Sequence, residues 1–462
     1  MVKFRIAAAG LAAAALLATG CSRAPTGAPS SRPASSATDR PASQVSTASQ
    51  VSSVSGCDTL DTCYTPQQLQ VAYGVKPLLE RGINGRGETV VFPELAESHL
   101  DPPLVTDMRQ DMAAFDQRFH LPAARMRVVT TLAGGNSPWL AFGEEVLDVE
   151  LVHALAPDAE LVILLLPSTS LDNTSNAVAA AIAEFRLGPA LGGVMSISAA
   201  GQIGGEHCVS QAQANRVNAA VRSAVNRRMT VVAASGDIGA AAYQCDLYAA
   251  LTGTPPASPT KGVLLVASDP LVLSAGGTAL TASHATGAWT SETAWDLASG
   301  NPGNQGGSFQ ASGGGFSRLF ARPAYQAGVP GTGTTRGVPD VSADASDRTG
   351  VAVVFSNGTQ VMVQGHGGTS AAAPIWAALM ALADQYAGRR LGFVNPAIYR
   401  IARSPRYHQA FHDITTGNNT VQFPPTTITG YRAAAGWDPV TGWGSPNAQV
   451  LVPLLAHYGR AR

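Results

Sequence analysis

Leu161-Val162-Ile163-Leu164-Leu165-Leu166 is a run of six apolar residues with no polar interruption. A strand with one face in water alternates apolar and polar positions, and this one does not, so both its faces are expected to be covered. Helical patterns flank it, residues 144–155 before and 176–185 after. The arrangement continues outward: further strands are expected at 89–92, 193–198, 230–234, 271–275 and 351–355, and a further helix over 211–227. Apolar strands separated by helices predict an α/β fold, a central and mainly parallel sheet flanked by helices. Binding sites of such sheets open at the carboxyl ends of the strands. Residues 281–335, rich in Gly, Ser and Thr, read as long loops, and no repeat of fixed period is evident.

The 462 residues carry 30 Lys+Arg against 31 Asp+Glu, a formal charge of −1. Nucleic-acid binding demands a basic excess, so that class of partner is not expected. An apolar content of 45% excludes disorder for the bulk of the chain, and only 13% charged residues excludes a coiled coil.

Residues 1–20 read as an export signal, with Lys3 and Arg5 ahead of an apolar stretch over 6–19 that is too short to span a bilayer comfortably. Leu17-Ala18-Thr19-Gly20-Cys21 resembles a bacterial lipobox, in which Cys21 takes the lipid and becomes the mature N-terminus. Residues 21–56 are a Ser/Pro/Ala/Thr tether with little to bury, and 57–462 form the folded domain. The expected location is therefore outside the cytoplasm, lipid-anchored to a bacterial membrane, with secretion as the alternative. Five of the basic residues and one of the acidic lie in 1–56, so the remainder is mildly acidic. Beyond Cys21 four cysteines remain, which allow three pairings. Cys57–Cys63 and Cys208–Cys245 are the expected pairs, because 193–198 and 230–234, if neighbouring strands, bring the latter two to one sheet edge. No cysteine spacing fits zinc.

The strongest chemical signal is Gly367-Gly368-Thr369-Ser370-Ala371-Ala372-Ala373-Pro374 ahead of an alanine-rich helical run. Small residues let the chain turn sharply and set Ser370 at a helix N-terminus, where the dipole and free amides favour a developing negative charge. A serine cap on a packed helix fits the same string. In Gly143-Glu144-Glu145-Val146-Leu147-Asp148, Glu144 and Asp148 stand four apart and share a helix face. Two close carboxyls resist double ionisation, so the pair holds a proton and serves as a base in acid, where histidine is already protonated. An exposed acidic face is the plainer alternative. Ala234-Ser235-Gly236-Asp237 puts an aspartate at a strand's carboxyl end, either a turn former or, buried and protonated, a donor to an oxyanion. None of the nine histidines stands in a segment of the type that supplies the base in subtilisins, and His366 falls on the strand or turn before Ser370.

Together the three strings resemble the sedolisin family of serine-carboxyl peptidases, its kumamolisin-like members most closely, over about residues 64–455. The resemblance implies a subtilisin-like single domain, with Ser370 as nucleophile, Glu144 as general base, Asp148 orienting Glu144 and Asp237 stabilising the oxyanion. Phe411-His412-Asp413-Ile414-Thr415 and Gly436-Trp437-Asp438-Pro439 resemble the family's calcium site. It implies one structural Ca2+ held by the carboxylates of Asp413 and Asp438 and the carbonyls of Ile414, Ala434 and Gly436, with Ala434 where the family often has glycine. Two departures stand out. The large folded pro-region usual in the family has no counterpart ahead of Cys57, and Ala199 takes the place of an aromatic that joins a network with the glutamate matching Glu94. The expected protein is a monomeric serine endopeptidase that cleaves proteins or peptides in acid through an acyl-enzyme on Ser370. A non-catalytic peptide-binding surface protein on the same scaffold is the main rival, and a subtilisin-like protease the lesser one.

Overall fold

The computed structural model describes residues 63–96, 106–130, 140–141, 143–167, 174–198, 204–242, 245, 258–297, 310–356, 361–423 and 425–459. Its strands, in chain order, begin with β1 (Thr89–Ala96), β2 (Thr106–Asp107), β3 (Arg125–Thr130), β4 (Leu140–Ala141), β5 (Glu160–Pro167), β6 (Val194–Ile197) and β7 (Thr230–Ala234). They continue with β8 (Leu273–Ala282), β9 (Trp289–Ala294), β10 (Gly315–Ala321), β11 (Thr335–Val338), β12 (Val341–Asp344), β13 (Val351–Ser356) and β14 (Val361–His366). The central sheet has the order β12-β8-β7-β6-β1-β5-β3, with all neighbours parallel, and β9 adds an antiparallel strand to β8.

The apolar run of β5 is covered on both faces, as its composition requires. Leu161, Ile163 and Leu165 enter one core while Val162, Leu164 and Leu166 enter the other, the period-two alternation of a strand. The first core takes side chains from the helices Gly143–Leu155 and Thr369–Ala387, the second from Thr174–Leu191 and Gln211–Asn226. Thr369–Ala387 is buried around nearly its whole circumference, which fits a helix inside a core rather than on a surface. It stops at Gly388, whose left-handed backbone (φ 63°) closes the last turn without a Cβ clash.

Several expectations need correction. The apolar stretch at 351–355 is a strand, but β13 pairs antiparallel with β14 outside the central sheet. It lies against the helix Gly143–Leu155, where the Val354 amide donates to Glu150 Oε2 at 2.8 Å. Residues 281–335 are not simply loops: β9 lies within them, and β10 forms an antiparallel pair with β11. Sequence reading also passed over β3, an edge strand opening Arg125-Met126-Arg127, and the four-residue β12.

The Cys208–Cys245 disulfide is present, with a Cα–Cα distance of 5.1 Å, and β6 and β7 are indeed parallel neighbours. Cys63 is disulfide-bonded as well; Cys57, with Cys21 and the whole of 1–56, lies outside the described residues. None of the described helices is long and apolar enough to cross a membrane.

Candidate active site

The site lies at the carboxyl ends of adjacent parallel strands, where an open α/β sheet leaves a crevice. Glu94 is near the end of β1, Ser198 immediately follows β6, and Asp237 follows β7. Ser370 is the second residue of the helix Thr369–Ala387. That helix is entered through Gly368, whose positive φ of 86° favours glycine. A Cβ there would sit 3.0 Å from Asp237 Oδ2, so glycine also makes room for the carboxyl group.

Glu144 and Asp148 both lie on the helix Gly143–Leu155, one turn apart. The Glu144 carboxyl stands beside the Ser370 side chain, close enough for the hydroxyl to favour its ionised form. Burial lifts Glu144 to about 7; the Ser370 hydroxyl pulls it down and the charge of Asp237 pushes it up. Asp148 is fully buried, and desolvation followed by the charge of Glu144 holds it well above the carboxylate range. Glu94, 3% exposed, is also held well above its ordinary value, by burial and then by Glu145, Asp148, Glu144 and Glu184.

Asp237 stands beside Thr369. Its Oδ1 accepts from the Thr369 amide at 2.8 Å and from the Thr369 hydroxyl at 2.6 Å, while the Gly236 amide donates to that hydroxyl oxygen at 3.0 Å. These contacts clamp the strand end onto the helix N-terminus, with Oδ2 on the Gly368 side. Burial raises Asp237, and the Thr369 hydrogen bonds oppose the rise. The four residues singled out by motif thus share one locale. His366 ends β14 with its ring edge-on to Phe355, and burial lowers its pKa. It makes no recorded contact with Ser370.

Sequence reading gave no role to Thr369 or Ser198, although both stood inside quoted strings. Ser198 is 5% exposed, and its hydroxyl lies 2.5 Å from Asp148 Oδ1 and 3.1 Å from the Ser370 carbonyl. Ala199 lies outside the described residues.

The residues read as a calcium site converge on one loop. Asp413 accepts from Tyr407 at 3.0 Å and from the Gly436 amide at 3.1 Å, and Asp438 accepts from the Ala434, Val440 and Thr441 amides. Burial first, then both carboxylates, raises the Tyr407 pKa, so the two acids crowd the same hydroxyl. Burial lifts Asp438 to about 6. Among the described residues no cationic side chain forms an ion pair with either acid. Buried Asp438 and part-buried Asp413 bring carboxylate oxygens to adjoining backbone, the kind of donor a hard cation takes. The fit is good. By contrast His207, Cys208 and Cys245 cluster closely, but their sulfurs are joined in the disulfide and offer no thiolate.

A cavity of about 780 Å³ lined by Tyr325, Phe393, Tyr399 and Arg400 reaches Pro270 and Leu271, at the amino end of β8. It contains no acid and lies at the opposite sheet edge, so chemistry rather than volume locates the site.

No protein-family model matches the chain. It is 33% identical to kumamolisin of Bacillus sp. (strain MN-32) over 416 residues, which is 87% of this chain and 65% of that protein. It is 36% identical to sedolisin of Pseudomonas sp. (strain 101) over 239 residues, 51% of this chain and 36% of the relative. The chain thus spans less than two thirds of the length of these relatives. Among solved structures, Pseudomonas sedolisin complexed with two molecules of pseudo-iodotyrostatin aligns with a TM-score of 0.67 and 26% identity, covering 85% of this chain and 97% of that one. With sequence, fold and the grouping of Ser370 with its acids in agreement, the chain belongs to the sedolisin family of serine-carboxyl peptidases.

Proposed function

We propose that this protein is a serine endopeptidase that hydrolyses peptide bonds in acid through an acyl-enzyme on Ser370. The observation that carries this reading is the placement of the Glu144 carboxyl beside the Ser370 side chain, with Asp237 fixed at the same helix N-terminus. Ser370 Oγ attacks the carbonyl carbon as its proton passes to Glu144. The oxyanion accepts a hydrogen bond from neutral Asp237 and faces the positive end of the helix dipole. Glu144 then returns the proton to the leaving nitrogen, and the acyl ester remains on Oγ. Water repeats the sequence, giving its proton to Glu144 and releasing the acid product.

The working form carries one negative charge among three acids: Glu144 ionised, Asp148 and Asp237 neutral. Ionising Asp237 removes the oxyanion donor, so activity is lost as pH rises. Burial lifts Glu144 to about 7 and raises Asp237, so the form with Glu144 ionised and Asp237 neutral is a minor fraction in acid, and that fraction carries the activity. Activity therefore peaks below pH 7. Wild type and Ser370→Ala, incubated with a denatured protein at about pH 4 and about pH 7, test this. Cleavage at the lower pH that vanishes in the variant supports the reading. Cleavage by neither, with folding verified, supports the peptide-binding scaffold, and an optimum above 7 contradicts the acid assignment.

We further propose one structural Ca2+ held by Asp413, Asp438 and the carbonyls of Ile414, Ala434 and Gly436. Bound there, the ion would neutralise buried Asp438 and part-buried Asp413 and tie 413–414 to 434–438. A chelator is expected to lower the melting temperature by several degrees, reversibly on adding calcium; an unchanged melting temperature counts against the site. The proposed location is extracytoplasmic, lipid-anchored through Cys21 or else secreted, as a monomer, and the Cys208–Cys245 disulfide supports an oxidising compartment.

A further inference from the structure

Pro374 stands four residues after Ser370 inside the same helix. In an α-helix the amide of residue 374 donates to the carbonyl of residue 370, and proline has no amide proton. The Ser370 carbonyl is thereby denied its i+4 helical donor, and a side chain from another element stands in that position. Ser198 Oγ is 3.1 Å from this carbonyl and 2.5 Å from Asp148 Oδ1. A hydroxyl has one proton and two lone pairs, so it donates to only one of these acceptors at a time. When Asp148 is ionised, the Ser198 proton points to the carboxylate. When Asp148 is protonated, its own proton points to Ser198 Oγ, and the Ser198 proton turns to the Ser370 carbonyl.

We propose that Ser198 is a positioning residue that couples the proton on Asp148 to the backbone of Ser370. The proposal rests on the reading of Ser370 and Glu144 as nucleophile and base. The charged and titratable groups facing Asp148 are Glu144 and Glu145 from its own helix and Glu94 from β1; Ser198 reaches it from the end of β6. All three neighbours are acids, so each discourages ionisation, and Ser198 is the hydrogen-bond donor recorded at Asp148 among the described residues. With Asp148 neutral, as the working form requires, the hydroxyl braces the first turn of the nucleophile's helix. Ionising Asp148 withdraws that brace. The proline of the Gly-Thr-Ser-x-x-x-Pro string acquires a function here: it keeps the carbonyl available to Ser198.

The test is a 13C NMR titration of the Asp148 carboxyl, assigned by its loss in Asp148→Asn, in wild type, Ser198→Ala, Ser198→Thr and Pro374→Ala. Removing the donor in Ser198→Ala is expected to raise the Asp148 midpoint by about one pH. Ser198→Thr, which keeps a hydroxyl, restores it. Pro374→Ala returns a backbone donor to the Ser370 carbonyl, releases Ser198 to the carboxylate and lowers the midpoint. In turnover, Ser198→Ala loses about tenfold in kcat with KM within twofold, and Ser198→Thr recovers most of the loss. A midpoint unmoved by Ser198→Ala, or moved by the threonine variant as much as by alanine, overturns the proposal even if Pro374→Ala does not fold. Because the titration needs no turnover, absence of Ser370-dependent cleavage in wild type strikes the catalytic reading alone.

Discussion

Glu144→Gln is expected to lower kcat roughly a thousandfold while leaving the fold intact. Glutamine keeps the shape of the side chain beside Ser370, but its amide cannot take the serine proton. The change isolates base catalysis from packing. A stopped assay on a denatured protein at about pH 4, with circular dichroism to verify folding, checks it. Activity within a few-fold of wild type would remove Glu144 from the reaction and return attention to His366, whose ring packs on Phe355 rather than on the nucleophile.

The second large effect is on stability. Burial raises Glu184 from 4.5 to about 8 and Asp384 from 3.8 to about 8, and it also holds Glu94, Asp148 and Glu150 well above the carboxylate range. The folded protein thus binds more protons than the unfolded chain between about pH 4.5 and 8, and stability falls as pH rises through that window. It is complete below the unfolded values near 4 and 4.5, and the loss is finished once the folded values are passed. Together these groups withdraw on the order of several kcal/mol, so the melting temperature should be about 10 °C lower at pH 8 than at pH 4. Glu184→Gln should recover part of that loss at pH 8 and change little at pH 4. A flat profile, or one that rises toward pH 8, would contradict it. On these shifts the fold itself is expected to be most stable in acid, independently of the catalytic chemistry.

What could be read in advance followed the physics of burial. The run in β5 excluded a solvent face, and β1, β6 and β7 repeated the pattern with helices between them. β13 is as apolar, but its composition cannot say which sheet it joins; it pairs with β14 and packs against the helices Met108–Phe119 and Gly143–Leu155. β3 escaped notice because an edge strand keeps arginines, and Arg127 pairs with Glu160 of the neighbouring strand at 2.7 Å. At the site, helical spacing put Glu144 and Asp148 on one face but fitted an exposed acidic face as well; the resemblance tied the pair to Ser370. Asp237 was legible as a carboxylate at a strand end, whereas its clamp on Thr369 spans 132 residues and left no local mark. Ser198 was hidden for the same reason. A serine after a strand is ordinary until the fold brings it between the buried Asp148 carboxyl and the carbonyl of Ser370.

The most direct measurement is the mass of the enzyme itself. Wild type, Glu144→Gln and Ser370→Ala are mixed with excess peptide ester at about pH 4, quenched in strong acid within seconds and digested for mass spectrometry. The account predicts an acyl adduct on the peptide containing Ser370 in wild type, much slower accumulation in Glu144→Gln and none in Ser370→Ala. An adduct on another residue, or one that survives in Ser370→Ala, would contradict it.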